Sequence, residues 1–133
     1  MIVAENLHKS FHGKRAVDGL SVRVSAGEAY GLVGPDGAGK TTTLRLLVGA
    51  LLPDEGAVRI AGHDLRTDPE LARERIGYLA QRFSLYGDLT VRENLGLFGS
   101  LRGLRGAPLD GRVAELIRFV GLEGFEGRRG DQL

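Results

Sequence analysis

The chain of 133 residues has the apolar and charged fractions of a folded globular domain. Its net charge is only +1, so the protein has no overall positive field that would attract nucleic acid or an anionic membrane. It contains no cysteine, which excludes disulfides, thiolate metal sites and thiol catalysis and favours the reducing cytoplasm. No apolar run approaches the about 18 residues that span a bilayer, and the N-terminal residues lack the plan of a signal peptide.

Two strands joined by a turn are predicted at the start of the chain. Residues 2–11 and 16–24 have strand character, and the second segment alternates apolar and polar side chains. The connection lies at residues 12–14. Phe11 lies just before this turn. Its ring could stack on a nucleotide base, but its spacing alone favours packing in the core.

The most specific motif of the chain follows. Residues 34–42 match G-x-x-x-x-G-K-[ST], the phosphate-binding loop, at every fixed position. Such a loop must follow a buried strand, and residues 29–33 are an apolar run of strand length. The loop consists of Gly34, Pro35, Asp36, Gly37, Ala38, Gly39, Lys40, Thr41 and Thr42.

The loop must also open a helix. An apolar face at helical spacing predicts one that ends at Pro53, with the face formed by Leu44, Leu47, Val48 and Leu51. The loop glycines let backbone N–H groups turn toward phosphates at the positive end of the helix dipole. Lys40 would reach the β- and γ-phosphates, and the Thr41 hydroxyl would ligate magnesium. The alternative, a Gly-rich turn with a surface lysine, is disfavoured by the two flanking elements.

The middle of the chain continues this alternation of strands and helices. Residues 57–61 have the pattern of a strand, and Asp68 and Pro69 have the pattern of a helix start. Residues 76–80 are predicted to form another strand that delivers Gln81 at its C-terminal end. In parallel sheets that end faces the ligand, so Gln81 is a candidate to bind magnesium or to orient a water.

Two consecutive helices are predicted next, as in a helical subdomain. The sequence from Thr90 to Glu93 is a capping box, and Pro108 and Asp110 open the second helix, which Gly121 ends. The predicted apolar stripes comprise Val91, Leu95, Phe98 and Leu101 in the first helix and Val113, Leu116, Ile117 and Val120 in the second.

Taken together, these motifs resemble the nucleotide-binding subunit of an ATP-binding cassette (ABC) transporter. The resemblance rests on residues 7–11, 16–22 and 27–28, the phosphate loop, Gln81 and residues 88–95, all in the family's order. Thr42, Thr43 and residues 81–86 are similar to multidrug and antibiotic efflux ATPases. Asp36 departs from the family's commoner asparagine.

The resemblance implies an α/β fold of the phosphate-loop NTPase type, with an antiparallel β subdomain. Residues 1–81 would form that subdomain with part of the loop core, and residues 82–133 the start of a helical subdomain. Phe11 would stack on the adenine of ATP, and Val17 would line the same pocket. Gln81 would touch Mg²⁺ and report nucleotide state to a membrane permease.

The resemblance also implies an exporter ATPase at the inner face of the cell membrane, with two ATP molecules held between head-to-tail paired domains and no nucleic acid partner. Alternatives are a soluble cassette ATPase acting on ribosomes or DNA and, less favoured, a GTPase or kinase. The family also has a buried strand of four apolar residues that ends in Asp-Glu, and no such run is found here. The family's Leu-Ser-Gly-Gly signature and switch histidine are missing as well. We therefore expect a truncated N-terminal portion that binds ATP without efficient hydrolysis.

Overall fold

The computed structural model describes residues 1–81 and 85–133, which divide into two compact units. The first unit is Met1–Leu79 and the second is Ala80–Leu133. Among the described residues, no helix combines the length and the apolar character that crossing a bilayer requires.

The first unit is built on a four-stranded antiparallel sheet in the order β2-β1-β3-β4. The strands are β1 (Ile2–Phe11), β2 (Lys14–Val24), β3 (Glu55–Ile60) and β4 (His63–Asp64). The predicted hairpin of β1 and β2 is confirmed, and its turn is only two residues long, His12 and Gly13, because Lys14 already pairs with Phe11. The hairpin turn therefore holds Phe11 at the end of the sheet.

Two helices accompany this sheet: α1 (Lys40–Leu47), which contacts β1 and β2, and α2 (Pro69–Glu74). The predicted apolar face of α1 was wrong in part, since Leu44 is 46% exposed while Leu46 is fully buried. α1 also ends earlier than predicted, because the Arg45 carbonyl accepts hydrogen bonds from the N–H groups of Ala50 and Leu51. The core contains Ala4, Leu7, Val17, Leu46, Val58, Ile60, Leu65 and Ala72.

Two predicted strands are absent from the part of the chain that the structure describes. Residues 29–33 and 76–80 have no regular secondary structure, and Val33 and Leu79 are 94% and 91% exposed. A strand exists only when a neighbour supplies its ladder of hydrogen bonds, and the described sheet, with the order β2-β1-β3-β4, includes neither segment. Apolar runs of strand length were therefore insufficient evidence for strands.

The second unit contains α3 (Val91–Leu101) and α4 (Gly106–Phe119), which pack against each other. The capping box is confirmed: Thr90 Oγ1 accepts from the Glu93 N–H at 3.2 Å, and Glu93 Oε2 accepts from the Thr90 N–H at 2.8 Å. The bond from the Thr90 N–H to the Glu93 carboxylate, and then a bond from the Thr90 hydroxyl to the same oxygen at 2.8 Å, lower the pKa of Glu93. Val91, Val113 and Ile117 form the core of this unit, with Leu95, Leu109 and Leu122 packed against them.

The predicted stripes are too long at their C-terminal ends. Phe98 and Leu101, in the second half of α3, and Val120, the residue that follows α4, are exposed, so the helical period extends further than the buried face of either helix. The segment after α4 lacks a helical period in the sequence, but it includes a short 3-10 helix (Gly130–Gln132) and is hydrogen-bonded to the start of α3. The Val91 N–H donates to the Arg128 carbonyl at 2.8 Å, and the Gly130 N–H donates to the Leu89 carbonyl at 2.8 Å.

Candidate functional site

The phosphate loop runs directly into α1, as the motif predicts. Gly39 is the residue before the helix and adopts a left-handed conformation with φ of 85°. A Cβ atom on Gly39 would lie 2.1 Å from the Ala16 carbonyl oxygen and 3.8 Å from Val17 Cγ2. The end of the loop is therefore packed against the backbone of β2, and only glycine fits there.

Lys40 holds the loop closed from the inside. Its Nζ donates to the carbonyl oxygens of Gly34 and Pro35, each at 2.7 Å, and lies 3.9 Å from Asp36 Oδ1. The Ala38 N–H donates back to the Pro35 carbonyl at 3.2 Å, which tightens the turn. The ammonium group is thus placed inside the loop and bound to neutral carbonyl groups, which an anion can replace.

The donors at this site fit a triphosphate with magnesium. The first N–H groups of α1 have no partner within the helix and point toward the loop, at the positive end of the helix dipole. The hydroxyl groups of Thr41 and Thr42 stand at the same helix start. A cavity of about 340 Å³ between β2 and the loop is lined in part by Val17, Ala38 and Lys40.

Phe11 and Val17 occupy different environments on the hairpin. Phe11 is 44% exposed at the end of β1, with the Lys9 Nζ 5.8 Å from its ring centre, so part of its ring is accessible to a base. Val17 is buried in the core and also lines the cavity beside the loop. Stacking on adenine by Phe11 and the role of Val17 stay predictions.

An unpredicted clamp fixes the strand end that carries Phe11. The Lys9 Nζ donates to Asp54 Oδ1 at 2.6 Å, and the Ser10 N–H donates to Asp54 Oδ2 at 2.8 Å. The bond from Lys9 and then that from Ser10 lower the pKa of Asp54. Nothing in the sequence signals this contact, because Asp54 lies 45 residues after Lys9.

Gln81 belongs to the unit Ala80–Leu133, whereas the phosphate loop belongs to Met1–Leu79. Its side chain is exposed, and its role toward magnesium stays a prediction. Of the segment that resembles efflux ATPases, Arg82, Phe83 and Ser84 lie outside the described residues.

The sequence pattern missed one further participant at the site, Ala16. Its carbonyl oxygen contacts the loop through the backbone, and a backbone contact leaves no side-chain signal. The approach of Asp36 to Lys40 was also not predictable, because Asp36 lies in the loop, where a separation of four residues does not imply proximity as it does on a helix.

Comparison with known families shows to which family the chain belongs. The family model described as ABC transporter matches residues 17–133. The chain belongs to the ABC transporter family. The predicted family and the ABC ATPase fold class are thereby confirmed.

Relatives of this ABC transporter chain have names that concern multidrug transport, Nod factor export and drug resistance. It is 39% identical over 133 residues to a probable multidrug ABC transporter ATP-binding protein of Escherichia coli (strain K12), covering 100% of this chain and 23% of the relative. It is 46% identical over 121 residues to a daunorubicin/doxorubicin resistance ATP-binding protein of Streptomyces peucetius, covering 91% of this chain and 37% of the relative. The chain thus spans well under half the length of these relatives.

A solved structure of similar fold is a dimeric ATP-binding cassette in a post-hydrolysis state, bound to ADP and Pi. The TM-score is 0.88 at 27% identity, with 100% of this ABC transporter chain and 63% of that chain covered. An ATP-binding subunit of an ABC transporter gives a TM-score of 0.84 at 29% identity, covering 97% of this chain and 54% of that one.

Proposed function

We propose that this chain is the ATP-binding part of an ABC-type exporter ATPase. The observation that carries the proposal is the phosphate loop itself, with the Lys40 ammonium inside it and Gly39 packed on β2. Relatives named for multidrug transport, Nod factor export and drug resistance support an exporter over the soluble cassette ATPase, GTPase and kinase alternatives.

In this proposal the loop binds the phosphates by exchange of partners. Lys40 leaves the carbonyl groups of Gly34 and Pro35 and donates to phosphate oxygens, while loop N–H groups donate to the same anion. The lysine is already held within the loop, so little side-chain entropy is lost, but its two hydrogen bonds to carbonyl groups must be broken before it can donate to the more strongly accepting phosphate oxygens. The residues assigned to the phosphates are Gly34, Pro35, Asp36, Gly37, Ala38, Gly39, Lys40, Thr41 and Thr42.

Thr41 is the proposed magnesium ligand of the loop, and Gln81 the proposed second protein group near the metal. Magnesium would supply neutralisation of phosphate charge. A hydroxyl and an amide carbonyl are both hard oxygen donors, which suit this ion. Residues 1–81 would then form the nucleotide-binding part and residues 82–133 the part that faces a membrane permease.

The adenine is assigned to Phe11, supported by the exposed part of its ring. We expect Phe11→Ala to weaken ATP binding by about 1 to 3 kcal/mol, the range for stacking of one base on an aromatic side chain. Phe11→Tyr should bind almost as the parent chain does, because it keeps a ring. Equal losses in the two variants, with circular dichroism unchanged, would contradict the stacking.

Hydrolysis by this chain alone is expected to be near background. Rate in phosphoryl transfer comes from an oriented water and preorganised charge, and the sequence holds no strand-end Asp-Glu pair for these tasks. Phosphate release from excess Mg-ATP should be no faster for the parent chain than for Lys40→Ala. Steady release that disappears in Lys40→Ala would contradict this and would implicate a carboxylate such as Asp36 or Asp88.

The proposed partners are an integral membrane permease and a second nucleotide-binding domain in a head-to-tail dimer, with the chain on the inner face of the membrane. The dimeric cassette of similar fold and the transporter names of the relatives support this assignment. Binding of Mg-ATP that Mg-GTP displaces equally well would count against an ATP-specific cassette. Co-purification with ribosomes, and with no membrane protein, would count against the exporter.

A further inference from the structure

The phosphate loop of this chain carries a carboxylate at its mouth. Asp36 is fully exposed, and its Oδ1 lies 3.9 Å from the Lys40 Nζ, which is itself only one-third exposed. An ion pair at this distance with one fully solvated partner contributes little to stability. Asp36 is therefore not needed to hold the loop closed, because the hydrogen bonds from Lys40 to the Gly34 and Pro35 carbonyl groups already do so.

The carboxylate changes the field that an incoming anion meets. The Lys40 ammonium and the Asp36 carboxylate together carry no net charge, whereas a neutral residue at position 36 would leave the full positive charge of the lysine. The effect on binding must scale with the charge of the ligand. ATP carries about four negative charges without magnesium and about two when magnesium is bound, so the carboxylate opposes the metal-free form more strongly.

We propose that Asp36 makes this loop selective for the magnesium complex of the nucleotide over the metal-free nucleotide. The proposal rests on the proposed function, since it concerns the same loop and the same ligand. In this role Asp36 is a specificity residue: it discriminates by repulsion against the wrong form and contributes no attraction to the correct one.

The test compares Asp36→Asn with the parent chain by calorimetric titration of ATP, once in excess MgCl₂ and once in excess EDTA. If the neutral side chain tightens binding of Mg-ATP about threefold, the same field should tighten binding of metal-free ATP about ninefold, because the doubled charge squares the factor. The preference for the magnesium complex should therefore fall about threefold. At about 1 M salt, where the Debye length is about 3 Å, most of this change should vanish.

Two controls accompany this comparison. Asp36→Glu keeps the charge and should keep the parent preference, which separates charge from the shape of the turn. Asp68→Asn makes the same chemical change at an exposed position before α2, which packs on β3 and β4 at the opposite edge of the sheet from β2, and should leave both affinities unchanged.

Three results would overturn the proposal: equal changes for both forms of ATP, no change for either form, or weaker binding of Mg-ATP, which would make Asp36 a magnesium ligand. Failure of the proposed function looks different. In that case the folded parent chain would bind neither form of ATP, and the inference would fall with it.

Discussion

Replacing Gly39 with alanine is expected to destabilise the unit Met1–Leu79 by about 2 to 4 kcal/mol and to weaken Mg-ATP binding by more than about 100-fold. The new Cβ would lie 2.1 Å from the Ala16 carbonyl oxygen. Ala16 lies at a register shift of β2, but Arg15 and Val17 on either side of it pair with β1, so its backbone cannot move aside as a flexible side chain can. Gly39 also has a φ of 85°, which adds the cost of a left-handed conformation for alanine. The loop must therefore leave β2, and the phosphate donors lose their arrangement.

Gly37→Ala is the matched control for this substitution. Gly37 lies in the same loop with a φ of 81°, but a Cβ there meets no atom within 4 Å. Gly37→Ala should therefore cost only the backbone conformation, about 1 to 2 kcal/mol, which Gly39→Ala should exceed. Urea unfolding and calorimetric titration measure the two effects. Equal losses of stability and affinity in the two variants would show that contact with Ala16 does not matter.

Lys40→Ala is expected to weaken ATP binding by about 1.5 to 3 kcal/mol, or roughly 10- to 150-fold in dissociation constant. This is the range for a hydrogen bond to a charged group, and Lys40 is the cation that the loop encloses. The expected loss is not larger, because the lysine must first give up its bonds to the Gly34 and Pro35 carbonyl groups. Fluorescence or calorimetric titration with Mg-ATP measures the change.

The control for net charge is Arg45→Ala. Arg45 lies on α1, and its side chain is exposed, so this variant removes one positive charge from the same helix without touching the loop. Its affinity should stay within about twofold of the parent chain, since exposed charges act weakly at a distance. An unchanged affinity in Lys40→Ala would refute the assignment of the phosphate loop.

The failures of the sequence patterns have a common physical cause. Residues 29–33 have the composition of a strand, but a strand is a relation between two segments, and the described sheet does not include this one. Leu44 satisfies the helical period of α1, yet Leu46 is the residue that is buried. The buried face of α1 is the one that packs on β1 and β2, and the position of these strands is not encoded in the helix itself. Periodicity reports an apolar face without reporting what covers it.

Other features were predictable because each is complete within a few neighbouring residues. The capping box joins Thr90 to Glu93, and the β1–β2 turn needs only His12 and Gly13. The phosphate loop likewise carries its own lysine and hydroxyl groups between Gly34 and Thr42. The family assignment followed from the order of such local motifs and was confirmed by the match over residues 17–133.

The sequence by itself thus determined the chemistry of the loop, since the identity and spacing of residues 34–42 are those that phosphate binding requires. Only the tertiary structure decided where that loop is anchored and what surrounds it. Ala16 contacts Gly39 through a backbone carbonyl, and Asp54 binds Lys9 across 45 residues. Neither contact leaves a local pattern, because chain folding brings together groups whose separation along the sequence carries no information about their distance in space.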